Sequence, residues 1–300
     1  MTPQIRYSLY VLLAAALSAF GWLFTEIALQ FYHVTPTVAV ISTSLIGGAI
    51  LLLISARSAR RTSSRWQPRD WLWVMAIGLI IYTIGFSLNF NAIRLIGAGK
   101  TVLLGRLDTL FVIILAIIFL GEPLSLYRWL AGIFGIAGAI LINFDPQALQ
   151  LNFGWGEALA ILTPLSVATG VIMYKPLLDR VDAGSATGLA LLFGGLFLIP
   201  VVFFSASIAA LGWGALLVLL CMGVIRGLSW FLYNVALSQI GVSPSSIIFL
   251  SSGFFTIALQ LVVAGWIPAL GLRPPQNLLP VLLGGVLIAI GIVILQRETS

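Results

Sequence analysis

Lys100, Arg106 and Asp108 sit in the stretch Gly97–Ser125, GAGKTVLLGRLDTLFVIILAIIFLGEPLS, which is otherwise apolar enough to cross a bilayer. Glu26 and Arg226 lie likewise within the apolar runs Tyr7–Gln30 and Trp213–Ser238. A charge in hydrocarbon costs roughly 2.5–3.5 kcal/mol on insertion scales, so such groups face an interior cavity or an opposite charge. The chemistry open to this set is recognition of a polar or zwitterionic solute on a path through the membrane. Matched depth predicts either that Asp108 holds Arg226 near the bilayer centre while Glu26 and Lys100 edge the outer mouth, or that each charge meets water in the cavity. Arg106 and Asp108 are two residues apart on one helix and point to nearly opposite sides, so both cannot face one narrow path.

Trp22, Tyr82, Trp230, Tyr233 and Asn234 also fall towards mid-depth. Trp230, Tyr233 and Asn234 follow i, i+3, i+4 and share a helix face, and lipid offers such polar tips no partner. Pro164, flanked by Thr163 and Ser166, frees backbone carbonyls that must be satisfied internally, which marks a kink or gate; Ser166 joins the cavity candidates. Glu122 precedes Pro123, a residue suited to the first turn of a helix. Its carboxylate is expected to cap that helix, a gain of about 0.3–1 kcal/mol from the dipole. Gly132, Gly135 and Gly138, and again Gly284, Gly285 and Gly291, give small-residue surfaces for close helix packing.

These residues need elements to carry them, and composition names the kind. The 300-residue chain is 60% hydrophobic and 8% charged, with mean hydropathy +1.12, against about 25% charged for a soluble domain. That predicts an all-α integral membrane protein. Runs twice too long for barrel strands, and not alternating, exclude a β-barrel. One Cys and one His exclude an internal disulfide and a Cys or His metal cluster, and no cofactor is expected. The +6 balance is no nucleic-acid signature, because its largest basic cluster is one short loop, Arg57–Arg69, best read as a topology anchor.

Windows of roughly 20 apolar residues give ten transmembrane helices. They run Tyr7–Gln30, Pro36–Ser55, Asp70–Ile93, Gly97–Leu120, Leu124–Phe144, Gly154–Leu178, Gly184–Ser205, Trp213–Ser238, Ser243–Pro268 and Leu278–Gln296. The first is too long for a signal peptide and is read as retained. With the N-terminus inside, ten Lys and Arg lie on the inner side against two outside, Arg94 and Arg273. Both termini are therefore expected in the cytoplasm.

The halves match each other. A shift of 144 residues sets Ala92, Ile96, Gly97, Phe111, Ile113, Leu115 and Gly121 on Ala236, Ile240, Gly241, Phe255, Ile257, Leu259 and Gly265. Residues 1–145 and 150–300 thus read as two five-helix repeats. Five is odd, so the second copy enters the membrane inverted, an architecture of transporters with a midplane site.

Gly121-Glu122-Pro123-Leu124 closing the fourth span, the Ala92–Gly99 turn before it, and the repeat itself carry a resemblance. On them the chain resembles the drug/metabolite transporter superfamily, in its EamA-type branch. Within that branch it looks most like the YddG-type exporters of aromatic and other amino acids. The second copy departs from the motif, with Gly265-Trp266-Ile267 where the first has Gly121-Glu122-Pro123. The resemblance implies efflux of amino acids or small metabolites across a bacterial inner membrane. It places the path between the halves, lined by spans one, three, four, six, eight and nine. Both halves are fused in one chain, so a monomer is expected to function. A channel or lipid scramblase is the nearest rival. A membrane enzyme is not expected, since no His dyad, HExxH or G-x-S-x-G occurs, and Gly97–Thr101 lacks the context of a phosphate loop.

Overall fold

A computed structural model of the chain describes residues 3–59, 66–105, 107–121, 125–142, 154–205, 211–267, 270 and 278–297. All described regular structure is helical: α1 (Pro3–Glu26), α2 (Pro36–Ala59), α3 (Pro68–Ile77), α4 (Phe86–Gly105), α5 (Leu107–Leu115) and α6 (Leu126–Ile142) precede the central loop. After it come α7 (Trp155–Leu178), α8 (Ala183–Leu196), α9 (Ile199–Ser205), α10 (Trp213–Ile240), α11 (Val242–Phe249), α12 (Ser252–Trp266) and α13 (Leu278–Arg297). Three π-helical pieces, Ile27–Phe31, Gly78–Gly85 and Ala116–Leu120, extend α1, α3 and α5. A π turn frees backbone carbonyls, and such turns are frequent at functional sites.

Seven helices are long and apolar enough to cross a membrane: Gln4–Phe31, Pro36–Ala56, Pro68–Ile96, Trp155–Leu178, Ala183–Val202, Trp213–Ile240 and Val242–Trp266. Shorter apolar helices cover Leu107–Leu120, Leu126–Leu141 and Leu279–Leu295. Segment ends fall close to those expected from the sequence, with one correction. The expected turn at Ala92–Gly99 does not end a helix, since α4 runs from Phe86 to Gly105. Gly97 and Gly99 weaken a helix by about 1 kcal/mol each but do not stop it, and no proline follows.

Where helices do stop, glycine sets the geometry. Gly121 ends its helix at φ 63° and Gly241 separates α10 from α11 at φ 90°, conformations that a side chain disfavours.

The helices before and after the central loop interlock rather than lie side by side. α1 packs on α10 and α12, α2 on α8 and α10, α4 and α5 on α7, and α6 on α13. Backbones meet where side chains are missing. A Cβ on Gly227 of α10 would fall 2.9 Å from the Gly47 Cα of α2, and one on Gly138 of α6 would fall 2.5 Å from the Gly284 oxygen of α13. The small-residue surfaces read from the sequence are thus helix contacts. One buried cluster, with Val11, Ile81, Tyr82, Phe90, Tyr174, Leu191 and Met222 at its centre, takes residues from both halves.

Candidate functional site

A cavity of about 110 Å³ opens between the halves, lined by α1, α4, α5, α7, α10, α11 and α12. Ser18 and Trp22 come from α1, Phe86, Asn89, Thr101 and Gly105 from α4, and Asp108, Thr109 and Val112 from α5. From the second half come Thr163, Pro164, Arg226, Ser229, Trp230, Tyr233, Ser246, Phe249 and Ser252, among others. The wall holds both hydroxyls and aromatic rings, so it presents hydrogen-bonding tips on a largely apolar surface, the usual build of a small-molecule site.

Arg226 brings a cation to this wall. Its side chain is 7% exposed and lies across α1 where Gly21 has no side chain; a Cβ there would meet the Arg226 Cγ at 2.9 Å. The guanidinium carbon stands 4.8 Å from the Trp22 ring centroid, 5.3 Å from that of Phe90 and 5.5 Å from that of Phe86. Nη2 donates to the Thr25 hydroxyl at 2.9 Å, and that hydroxyl donates back to the Gly21 carbonyl at 2.7 Å. Nε is buried without a hydrogen-bond partner. Faces of three rings attract a cation, but they supply no lone pair for its N–H groups.

The expected pairing of Asp108 with Arg226 is not formed: among the described residues no ion pair joins them. Both line the cavity, but the Asp108 Oδ1 turns to its own helix, accepting from the Thr109 N–H at 2.6 Å and from the Thr109 hydroxyl at 3.2 Å. Short carboxylates favour such local backbone bonds, and equal depth does not make two helix faces converge. Glu26 is not among the lining residues; it accepts from the Gln260 Nε2 of α12 at 3.0 Å. The side chain of Lys100, and the whole of Arg106 and Glu122, lie outside the described residues, so the expected mouth pair and helix cap do too.

The face Trp230, Tyr233, Asn234 splits. Trp230 and Tyr233 line the cavity, their rings edge to face at 5.8 Å, and the Tyr233 hydroxyl is bonded to that of Ser246 at 2.8 Å. Asn234 is wholly buried and donates to the Thr187 hydroxyl of α8 at 2.8 Å. A helix face about 100° wide has room for both directions. Tyr82 is also wholly buried, behind Trp230, with their ring centroids 5.5 Å apart. Pro164 lines the cavity, yet α7 runs on through it to Leu178. Ser166 is not among the residues lining this cavity; its hydroxyl donates to the Ile80 carbonyl in the π-helical stretch of α3.

Sequence reasoning passed over Thr25, Phe86, Asn89 and Phe90. Spacing held a clue: Phe86, Asn89 and Phe90 follow i, i+3, i+4 and share a face, and Trp22 and Thr25 lie three apart on another, with Gly21 one turn before Thr25. Nothing in the sequence linked the two faces.

The architecture has known counterparts. A solved structure described only as the crystal structure of a protein superposes with TM-score 0.73 at 17% identity, over 97% of this chain and 98% of its own; that likeness concerns the fold. An "uncharacterized transporter" of Synechocystis sp. is 26% identical over 72% of this chain and 71% of its own length. Another of that description, from Bacillus subtilis, is 23% identical over 71% of this chain and 68% of its own. A third, from Sinorhizobium sp., is 28% identical over 45% of this chain and 95% of its own. Two successive matches, at residues 5–144 and 154–296, cover both halves of the interlocked bundle, and by them the chain belongs to the EamA-like transporter family.

Proposed function

We propose that the chain is an inner-membrane exporter of amino acids, aromatic ones included, and of related small metabolites, working by alternating access through the cavity between two inverted repeats. The observation that carries this reading is the cavity itself, with walls from both halves and one buried cation, Arg226, turned into it. The helix pairing supports the inversion. α1 with α10 mirrors α4 with α7, while α2 with α8 and α6 with α13 pair counterparts, as a two-fold relation between the halves requires. In this reading the three shorter apolar helices complete ten spans, both termini face the cytoplasm, and the monomer contains the whole path. No catalytic chemistry and no cofactor enter it.

Counterflow through the purified protein in lipid vesicles tests the reading. A vesicle preloaded with unlabelled phenylalanine should accumulate labelled phenylalanine transiently, and the rate should saturate. A flux that rises linearly with concentration and shows no counterflow would assign a channel. Cells expressing the protein should tolerate toxic amino-acid analogues better; greater sensitivity would reverse the direction.

A further inference from the structure

Arg226 combines three facts that a structural arginine does not. It is buried in a membrane-spanning helix, and its charge meets no carboxylate within ion-pair distance among the described residues. One of its N–H groups is buried without an acceptor. It also lines the cavity that both halves share. A guanidinium stays protonated in proteins, and an uncompensated buried charge costs several kcal/mol. Thr25 and the rings of Trp22, Phe86 and Phe90 hold the side chain in place, but none of them carries a negative charge. What the site lacks is a planar anion, and a carboxylate matches the fork of an arginine.

A second orphan lies on the same wall. Asn89 lines the cavity, is 6% exposed and has its Oδ1 buried without a partner. It is the neighbour in sequence of Phe90 and one turn on from Phe86, the two α4 rings that flank the guanidinium. A ligand held here has an unfilled donor at Arg226 and an unfilled acceptor at Asn89.

We propose that Arg226 is the carboxylate anchor of the cavity, and that the solute carries a carboxylate for its Nε edge together with an N–H or O–H donor for the Asn89 Oδ1. This rests on reading the cavity as a solute path, and it narrows the substrate class to small carboxylates bearing an amino or hydroxyl group. Amines and amides of the same shape should be rejected. Hydrogen bonds between charged groups contribute about 1.5–3 kcal/mol, so losing the carboxylate should weaken binding about tenfold or more.

The test is titration of the purified full chain with two acid and amide pairs, L-phenylalanine with L-phenylalaninamide and lactate with lactamide, read by thermal shift. At least one acid should bind wild type about tenfold or more tightly than its amide. In Arg226→Gln that preference should vanish while the unliganded protein melts no lower than wild type, because an uncompensated charge has been removed. Acids and amides binding alike, no acid binding, or a preference surviving in Arg226→Gln would each overturn the anchor. If Arg226→Gln fails to fold, the wild-type pairs and Arg226→Lys decide. Lysine keeps the charge without the fork, so its acid preference should fall, and a preference kept in full overturns the proposal. Vesicle counterflow separates the two readings. Acid-selective binding without counterflow removes the exporter and leaves the anchor, whereas counterflow of amide as fast as acid removes the anchor and leaves the exporter.

Discussion

The hydroxyls of Tyr82 and Tyr174 lie 3.1 Å apart, both side chains wholly buried, one on each half of the chain. Tyr174 stands four residues before the end of α7, and Thr187 of α8 and Asn234 of α10 are within reach of its hydroxyl. The contact therefore ties the two halves together near the end of α7, the cytoplasmic side in the proposed orientation. Its two hydroxyls are not equivalent. Tyr82→Phe leaves Tyr174 other partners and should cost little. Tyr174→Phe strands the Tyr82 hydroxyl, and a buried unsatisfied group costs about 1–3 kcal/mol. Melting temperature in detergent should fall most in Tyr174→Phe and recover in the double variant; equal losses in both single variants would refute this account.

Gly21 makes room for the Arg226 side chain, since a Cβ there would come within 2.9 Å of Cγ. Gly21→Ala should push the guanidinium off the Trp22 face and away from Thr25. Alanine is also the better helix former, by about 1 kcal/mol, so folding should hold or improve. The expected outcome is a folded protein whose acid binding is weakened several-fold. Unchanged binding in Gly21→Ala would show that the position of Arg226 on α1 is not used.

Asp70 is wholly buried at the start of α3, where its Oδ2 accepts from the Gln67 N–H at 2.9 Å. Its Oδ1 lies 2.9 Å from Nη2 of Arg180, across the two halves. That second approach is ionic rather than an aligned hydrogen bond, and the arginine side chain is 36% exposed. Screening at the part-exposed arginine keeps the pair below the several kcal/mol of a fully buried one. The cap should therefore matter more: Asp70→Ala should lose about 0.5–2 kcal/mol from it in addition to the pair. Arg180→Gln should lose less and should be the variant whose effect shrinks in high salt. Chemical unfolding of both variants at low and high salt checks the order.

Composition and periodicity made much of the fold legible. Runs such as Pro36–Ser55 and Trp213–Ser238 have no competing interpretation, because an apolar segment of that length has few places to go. The missed turn at Ala92–Gly99 shows the limit, since a glycine pair weakens a helix without saying whether it ends. Sites were less legible. Trp22, Arg226, Trp230 and Tyr233 were readable because polar tips in an apolar run must find company. Which company was not readable, because depth along a helix is written in the sequence and rotation about it is not. Ser166 illustrates this: it donates to the Ile80 carbonyl in the π-helical part of α3, an irregularity that no spacing rule announces.

Asp108 and Arg226 settle whether matched depth amounts to coupling. Both line the cavity, but no ion pair joins them among the described residues. Asp108 is bonded to Thr109 and Arg226 to Thr25 and three rings. Groups without a shared partner have effects that add to within about 0.3–0.5 kcal/mol, whereas a buried pair couples by 0.5–3 kcal/mol. Asp108→Asn and Arg226→Gln should therefore change stability independently, and the double variant should show the sum. Asp108→Asn keeps an acceptor for the Thr109 N–H, so that local bond should survive the change. Its mark should fall on transport instead, with acid selectivity retained because the Arg226 fork is untouched. Partial recovery of stability in the double variant would restore the ion pair that equal depth suggested, and with it a structural role for Arg226.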